Sequence, residues 1–129
     1  MDLNIRTESF GQDDQSWLGS SHGTDTARSI TLDITKFTAG THYPDGYVKS
    51  GIPLGKITAG GKYGPYDDAA TDGRQTLSGF LFTAVKTPTN PANPVNGALL
   101  MHCFVVESKL PVAVDANGKA DVAGRVIFV

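Results

Sequence analysis

Residues 51–57, Gly51-Ile52-Pro53-Leu54-Gly55-Lys56-Ile57, bring glycines and a lysine together as a phosphate-cradling loop does. The spacing is one residue short, however, and Ile57 stands where a Ser or Thr hydroxyl would reach magnesium. No helix pattern follows to offer its N-terminus to an anion. These glycines read as tight corners, with Leu54 and Ile57 as core. Asp67, Asp68 and Asp72, ahead of Gly73, cluster carboxylates as a calcium loop would, but they lack its D-x-D-x-D-G alternation and its closing Glu, so Asx-type turns are expected. Ser20, Ser21, His22 and Asp25 hold the atom types of a hydrolase triad within one short Gly-flanked stretch, which supplies no held geometry. His22, His42 and His102 show no i, i+2 or i, i+4 pairing, so no metal site is expected. Cys103, the single cysteine, excludes an internal disulfide and reads as a buried, inert thiol within an apolar run. None of these groups forms a catalytic constellation, and the chain is expected not to be an enzyme.

The elements that carry these residues are short and extended. Ser29 to Phe37 alternates strictly, with Ile30, Leu32 and Ile34 on one face and Thr31, Asp33 and Thr35 on the other, which predicts a half-buried strand. Tyr43-Pro44-Asp45-Gly46 has its residues in β-turn order. Extended pieces follow at 46–49, 53–58 and 62–66, separated by glycines that leave no room for a helix. Thr76 to Lys86 is expected as a longer strand in which Gly79 marks a bulge or a close backbone contact. The segment 87–97, with three prolines that cannot donate to a ladder, reads as an exposed loop. Ala98 to Val106 is apolar on both faces, with Leu100, His102, Phe104 and Val106 pointing one way and Leu99, Met101, Cys103 and Val105 the other. That pattern suits a central core strand or a subunit interface. Asp115 to Gly124 holds the one helical turn expected, and Arg125 to Val129 closes as a strand.

At 129 residues and 13.6 kDa the chain fits one domain with one modest core. Charged residues at 19% fall below the usual quarter, and 15 glycines exceed the average share, which indicates a turn-rich β protein. Eleven Lys and Arg against thirteen Asp and Glu leave a net charge of -2 with no basic cluster, arguing against a nucleic acid partner. No apolar stretch approaches the ~18 residues of a membrane span, and MDLNIRTESF lacks the pattern of a secretion signal, so a soluble protein made in the cytoplasm is expected.

From Gly51 to Leu81 the chain reads G-x-P-L-G-K-I-T-x-x-G-K-Y-x-P-Y-D-x-x-A-x-D-G-x-x-x-x-x-G-x-L, and from Val105 to Pro111 V-V-E-S-x-L-P. These runs, with the apolar end Gly124 to Val129, resemble the lambda D-like head decoration proteins of tailed bacteriophages. The resemblance implies an all-β, β-clip-like or partial-barrel domain over 24–129 with at most one short helix; the first forty residues and the proline-rich loop depart from the family's pattern, and the polar, aperiodic stretch 1–23 reads as an extended arm. The resemblance also implies a homotrimer on the outer capsid surface of the virion, bound to the major capsid protein at three-fold and quasi-three-fold positions, with no cofactor. Such proteins add after the shell expands and reinforce it against DNA pressure. The matching residues are scaffold rather than mechanism. Trimeric dUTPases share a β-clip-like fold, but their G-x-x-D-x-x-Y-x-G run is missing here.

Physics suggests how the arm would act. An extended segment pairs with an exposed strand edge of a capsid protein, and Leu3, Ile5, Phe10, Trp17 and Leu18 are the expected anchors. Leu100, His102 and Phe104 are the expected trimer contacts. The competing expectation is a virion-displayed receptor- or glycan-binding module that uses Tyr63 to Tyr66 and the proline-rich loop.

Overall fold

The computed structural model describes residues 14–129. Its strands are β1 (Arg28–Leu32), β2 (Tyr47–Val48), β3 (Pro53–Lys56), β4 (Tyr63–Pro65), β5 (Gly79–Leu81), β6 (Val85–Lys86), β7 (Val95–Leu100), β8 (Cys103–Val105) and β9 (Val126–Phe128). Two short helices, α1 (Ala39–His42) and α2 (Ala116–Asp121), complete an all-β domain. Five strands close into a barrel in the order β1-β4-β3-β5-β7, while β2 with β6 and β8 with β9 form separate pairs. The longest seam is antiparallel, β1 on β7, running from Arg28 opposite Leu99 to Leu32 opposite Val95. The shortest is parallel, β1 on β4, through the single pair Leu32 and Tyr63.

Alternation along the strands sorts side chains into two cores. Ile30, Leu32, Leu54, Leu81 and Leu99 fill the barrel, and Ile34, Phe37, Val48 and Ile52 extend that core. Outside the barrel wall, Phe80 and Leu100 meet Leu77, Cys103, Val105, Val114, Val122, Val126 and Trp17. Adjacent residues of one strand thus serve different cores: Phe80 faces outward and Leu81 inward, and Leu100 and Leu99 divide in the same way. The two-sided apolar character of 98–106 has this origin, a strand sandwiched between two packed layers.

Several predicted strands stop early, each for a local reason. The strand from Ser29 ends at Leu32, because the Asp33 carboxylate accepts from the Thr35 amide and opens a 3-10 turn over Ile34–Lys36, with Ile34 still buried. The stretch 76–86 divides into β5 and β6, which join different sheets. Gly79 lies against backbone, as expected: a Cβ there would stand 2.2 Å from the Leu100 carbonyl oxygen. The run 98–106 bends at Met101 and His102, so β7 and β8 belong to separate sheets. The helical turn expected in 115–124 is α2, whose N-cap Asp115 accepts from the Gly118 amide. The expectation of at most one helix needs correcting. In α1 a single turn is closed from within, since the His42 amide donates to the Thr38 carbonyl and the Thr38 amide donates to His42 Nδ1. Such a turn leaves no periodic trace in the sequence. Residues 89–94 are exposed as the proline content suggested, but 95–97 belong to β7.

Candidate interaction surface

Residues 17–19, ahead of β1, are built into the domain. Leu18 bridges Val105 in antiparallel fashion, the Gly19 amide donates to the Phe104 carbonyl at 2.8 Å, and the Val106 amide donates to the Trp17 carbonyl at 2.6 Å. On its other side β8 pairs in parallel with β9, in the register Cys103 with Val126, Phe104 with Ile127 and Val105 with Phe128. Residues 17–19, β8 and β9 therefore act as a small three-stranded layer. The inner face of this layer carries Trp17, Cys103, Val105 and Val126, all buried.

Trp17 anchors this layer to the rest of the domain. Expected as an anchor for a partner, its side chain is instead 1% exposed inside its own domain. The indole Nε1–H donates to Ser50 Oγ at 3.0 Å, and Ser50 Oγ donates onward to the Phe82 carbonyl at 2.6 Å. The ring lies 5.7 Å from that of Phe80. Gly51 makes the space: it adopts φ +88, and a Cβ there would meet the indole at 2.7 Å. An indole with a satisfied N–H gains more from this pocket than from solvent. Leu18 is half-buried against the same core. The expected extended arm is thus corrected over 14–23, which pack on the domain; Leu3, Ile5 and Phe10 lie outside the described residues.

The outer face of the layer is apolar and open. Ile127 is 52% and Val129 67% exposed, the large hydrophobic side chains most open to solvent among the described residues. Phe104, the register partner of Ile127, is half-buried beside them. No described strand pairs with the outer edge of β9. Of the expected trimer contacts, Phe104 and the exposed His102 stand at this face. Leu100 does not, because the bend at Met101 and His102 turns it into the outer core, where it is fully buried. Arg125, which composition alone did not single out, fixes the bend by donating from one guanidinium nitrogen to the carbonyls of Met101 and Ser78, both at 3.0 Å.

The remaining chemical candidates hold structure. Asp67 accepts from the Ala69 amide, and Asp72 accepts from the amide and Nε of Arg74, which are the expected Asx turns. Asp72 is held below the usual carboxylate range chiefly by its bond to the Arg74 side chain. The Ser20 hydroxyl is occupied by the His22 amide. Cys103 is buried, and burial pushes its thiol up to about 11 against the opposing pull of Arg125. The two tyrosines expected to share a glycan site diverge. Tyr63 packs on the barrel core, whereas Tyr66 packs on the outer core and donates to Asp115 at 2.7 Å. Burial, then that bond and the neighbouring carboxylates, raise the Tyr66 phenol far above its ordinary value. Tyr63 does line a polar cleft of about 320 Å³ with Arg28, Ser29, Thr31 and Lys56. No protein family, curated protein or solved structure matches this chain.

Proposed function

We propose that this protein is a capsid decoration protein of a tailed bacteriophage. It binds the outer surface of the expanded head as a trimer and stabilises the shell. The observation that carries the proposal is the apolar outer face of the β8–β9 layer, where Phe104, Ile127 and Val129 stand beside an open strand edge. Its support is the run from Gly51 to Leu81 and the closing strand, which resemble the decoration family. Apolar side chains on a regular strand, beside backbone groups with no strand partner, suit association with other β structure. Each Å² of apolar surface covered there contributes about 25 cal/mol before the cost of association. Three copies joined through this face would present three leading segments to one capsid site, multiplying weak contacts. With Trp17 and Leu18 committed to the domain's own core, the capsid anchors of that segment reduce to Leu3, Ile5 and Phe10.

The test is co-sedimentation with expanded, undecorated capsids, together with sedimentation velocity of the free protein. Three proteins are compared: the full chain, a chain starting at Asp14, and the pair Ile127→Asp with Val129→Asp. Saturable binding by the full chain, weakened in the chain starting at Asp14 and lost with trimer formation in the paired variant, is the expected outcome. A full chain that sediments as a monomer and ignores capsids would sink the proposal. A second reading, a virion-displayed glycan-binding module, draws on the cleft around Tyr63. It would be favoured by glycan-array binding that Lys56→Ala and Tyr63→Ala abolish.

A further inference from the structure

We propose that His22 and His102 form a binding site for a divalent transition metal of the zinc, copper and nickel group. The two imidazoles come from segments 80 residues apart in sequence, yet His22 Nε2 and His102 Nδ1 stand 2.8 Å from each other. The ring centroids are 4.7 Å apart and the planes are inclined at 58°, so the rings point nitrogens at a shared position instead of stacking. In the metal-free pair one imidazole donates and the other accepts. Two metal–nitrogen bonds of about 2.0–2.1 Å at a tetrahedral angle place the nitrogens roughly 3.4 Å apart. Opening the pair by about half an ångström, with the donating imidazole moving its proton to its other ring nitrogen, therefore leaves two facing lone pairs for a metal ion. Both side chains are exposed, which allows that shift and leaves room for water to complete the coordination.

The backbones on either side are fixed, so the chelate is prepared before metal arrives. Gly23 adopts φ +79 with its α-carbon pressed on the His102 carbonyl, where a Cβ would stand 1.9 Å from the oxygen, and any other residue would lift His22 away. The His22 amide donates to Ser20 Oγ, and the amide and hydroxyl of Thr24 both donate to the Ser21 carbonyl. On the other side Arg125 holds the Met101 carbonyl next to His102. The Phe104 ring meets His22 edge-on at 5.3 Å, giving that imidazole an apolar wall. His42 offers an internal control, because its Nδ1 already accepts from the Thr38 amide. A bound ion would tie residues 20–23 to the bend between β7 and β8, beside the apolar outer face.

The experiment uses the full, untagged chain, titrated with copper(II) while the three histidine imidazole resonances are followed by NMR, and with zinc(II) while the melting temperature is followed. Sub-stoichiometric copper is expected to broaden His22 and His102 together and to spare His42. Zinc is expected to raise the melting temperature of the wild type, and His22→Gln and His102→Gln should each abolish that rise and weaken copper binding by tenfold or more. Glutamine keeps a hydrogen-bonding group without the imidazole ligand, and Trp17 fluorescence confirms that each variant is folded. Equal broadening of all three histidines, or folded Gln variants that bind as the wild type does, would overturn the proposal.

Discussion

The barrel interior and the outer layer each gather nine buried residues among those described, but they are closed in different ways. The barrel is sealed by ladders between strands that all lie within residues 28–100. The outer layer takes one wall from the barrel itself, through Phe80 and Leu100, and the other from both ends of the described chain, Trp17 on one side and Val126 on the other. A core walled by a two-stranded pair and an isolated bridge opens locally more readily than one sealed by a closed ladder. The same layer carries the apolar face proposed to meet other copies, so its integrity and that proposed role are tied together.

The comparison breaks most decisively if the N-terminal segment is removed. A chain starting at Thr24 lacks Trp17 and Leu18, and it should lose about 3–5 kcal/mol or more, the range for deleting a large buried aromatic. A chain starting at Asp14 keeps those contacts. Hydrogen exchange should then show protection retained at barrel amides such as Leu81 and lost at β8 in the shorter chain. Loss of both together would mean that the two cores are one cooperative unit.

Single substitutions sharpen the distinction. Trp17→Ala should cost about 3–5 kcal/mol and Leu54→Ala, in the barrel, about 2–4 kcal/mol, as read from urea unfolding. In double-mutant cycles Trp17→Ala should couple to Phe80→Ala, whose ring it touches, and should add independently to Leu54→Ala. Gly79→Ala forces a methyl onto the Leu100 carbonyl at the wall the two cores share, with a smaller expected cost of about 1–3 kcal/mol.

The smallest effect is one of pH. Asp72 is held below the carboxylate range mainly by the Arg74 side chain, and Asp115 mainly by its bond from Tyr66. Their folded values lie below the unfolded ones. The contribution of each is therefore present above the unfolded carboxylate value of about 3.9 and is lost as pH falls through the folded value. His42 is lowered too, first by burial and then by Arg74, so its contribution declines as pH drops below about 6.5. Melting temperatures between pH 7 and pH 3 should fall in two modest steps. His42→Gln should remove the upper step and Asp72→Asn should reduce the lower one.

Much of the barrel could be read from residue order. Strict alternation marked Ile30 and Leu32, glycines spaced the pieces that became β3 and β4, and Asp115 with the apolar end announced α2 and β9. What escaped depends on contacts far apart in the chain. Trp17 stands in a polar stretch with no periodic neighbour, and the Ser50 hydroxyl and Gly51 hollow that receive it lie more than 30 residues away. The pairing of His22 with His102 spans 80 residues and leaves no local spacing to find. The bend at His102 escaped because an apolar run gives no sign of where its two halves part company.

Cys103 gives the molecule a built-in clock. It is the single thiol of the chain, and it lies in the outer layer rather than the barrel, shut away from solvent behind Trp17 and β9. A thiol-modifying reagent in solution can reach it only when that layer parts, so the rate of alkylation counts those openings while ignoring the barrel. Slower labelling upon self-association or capsid binding would report, in one residue, that a partner has latched the layer shut.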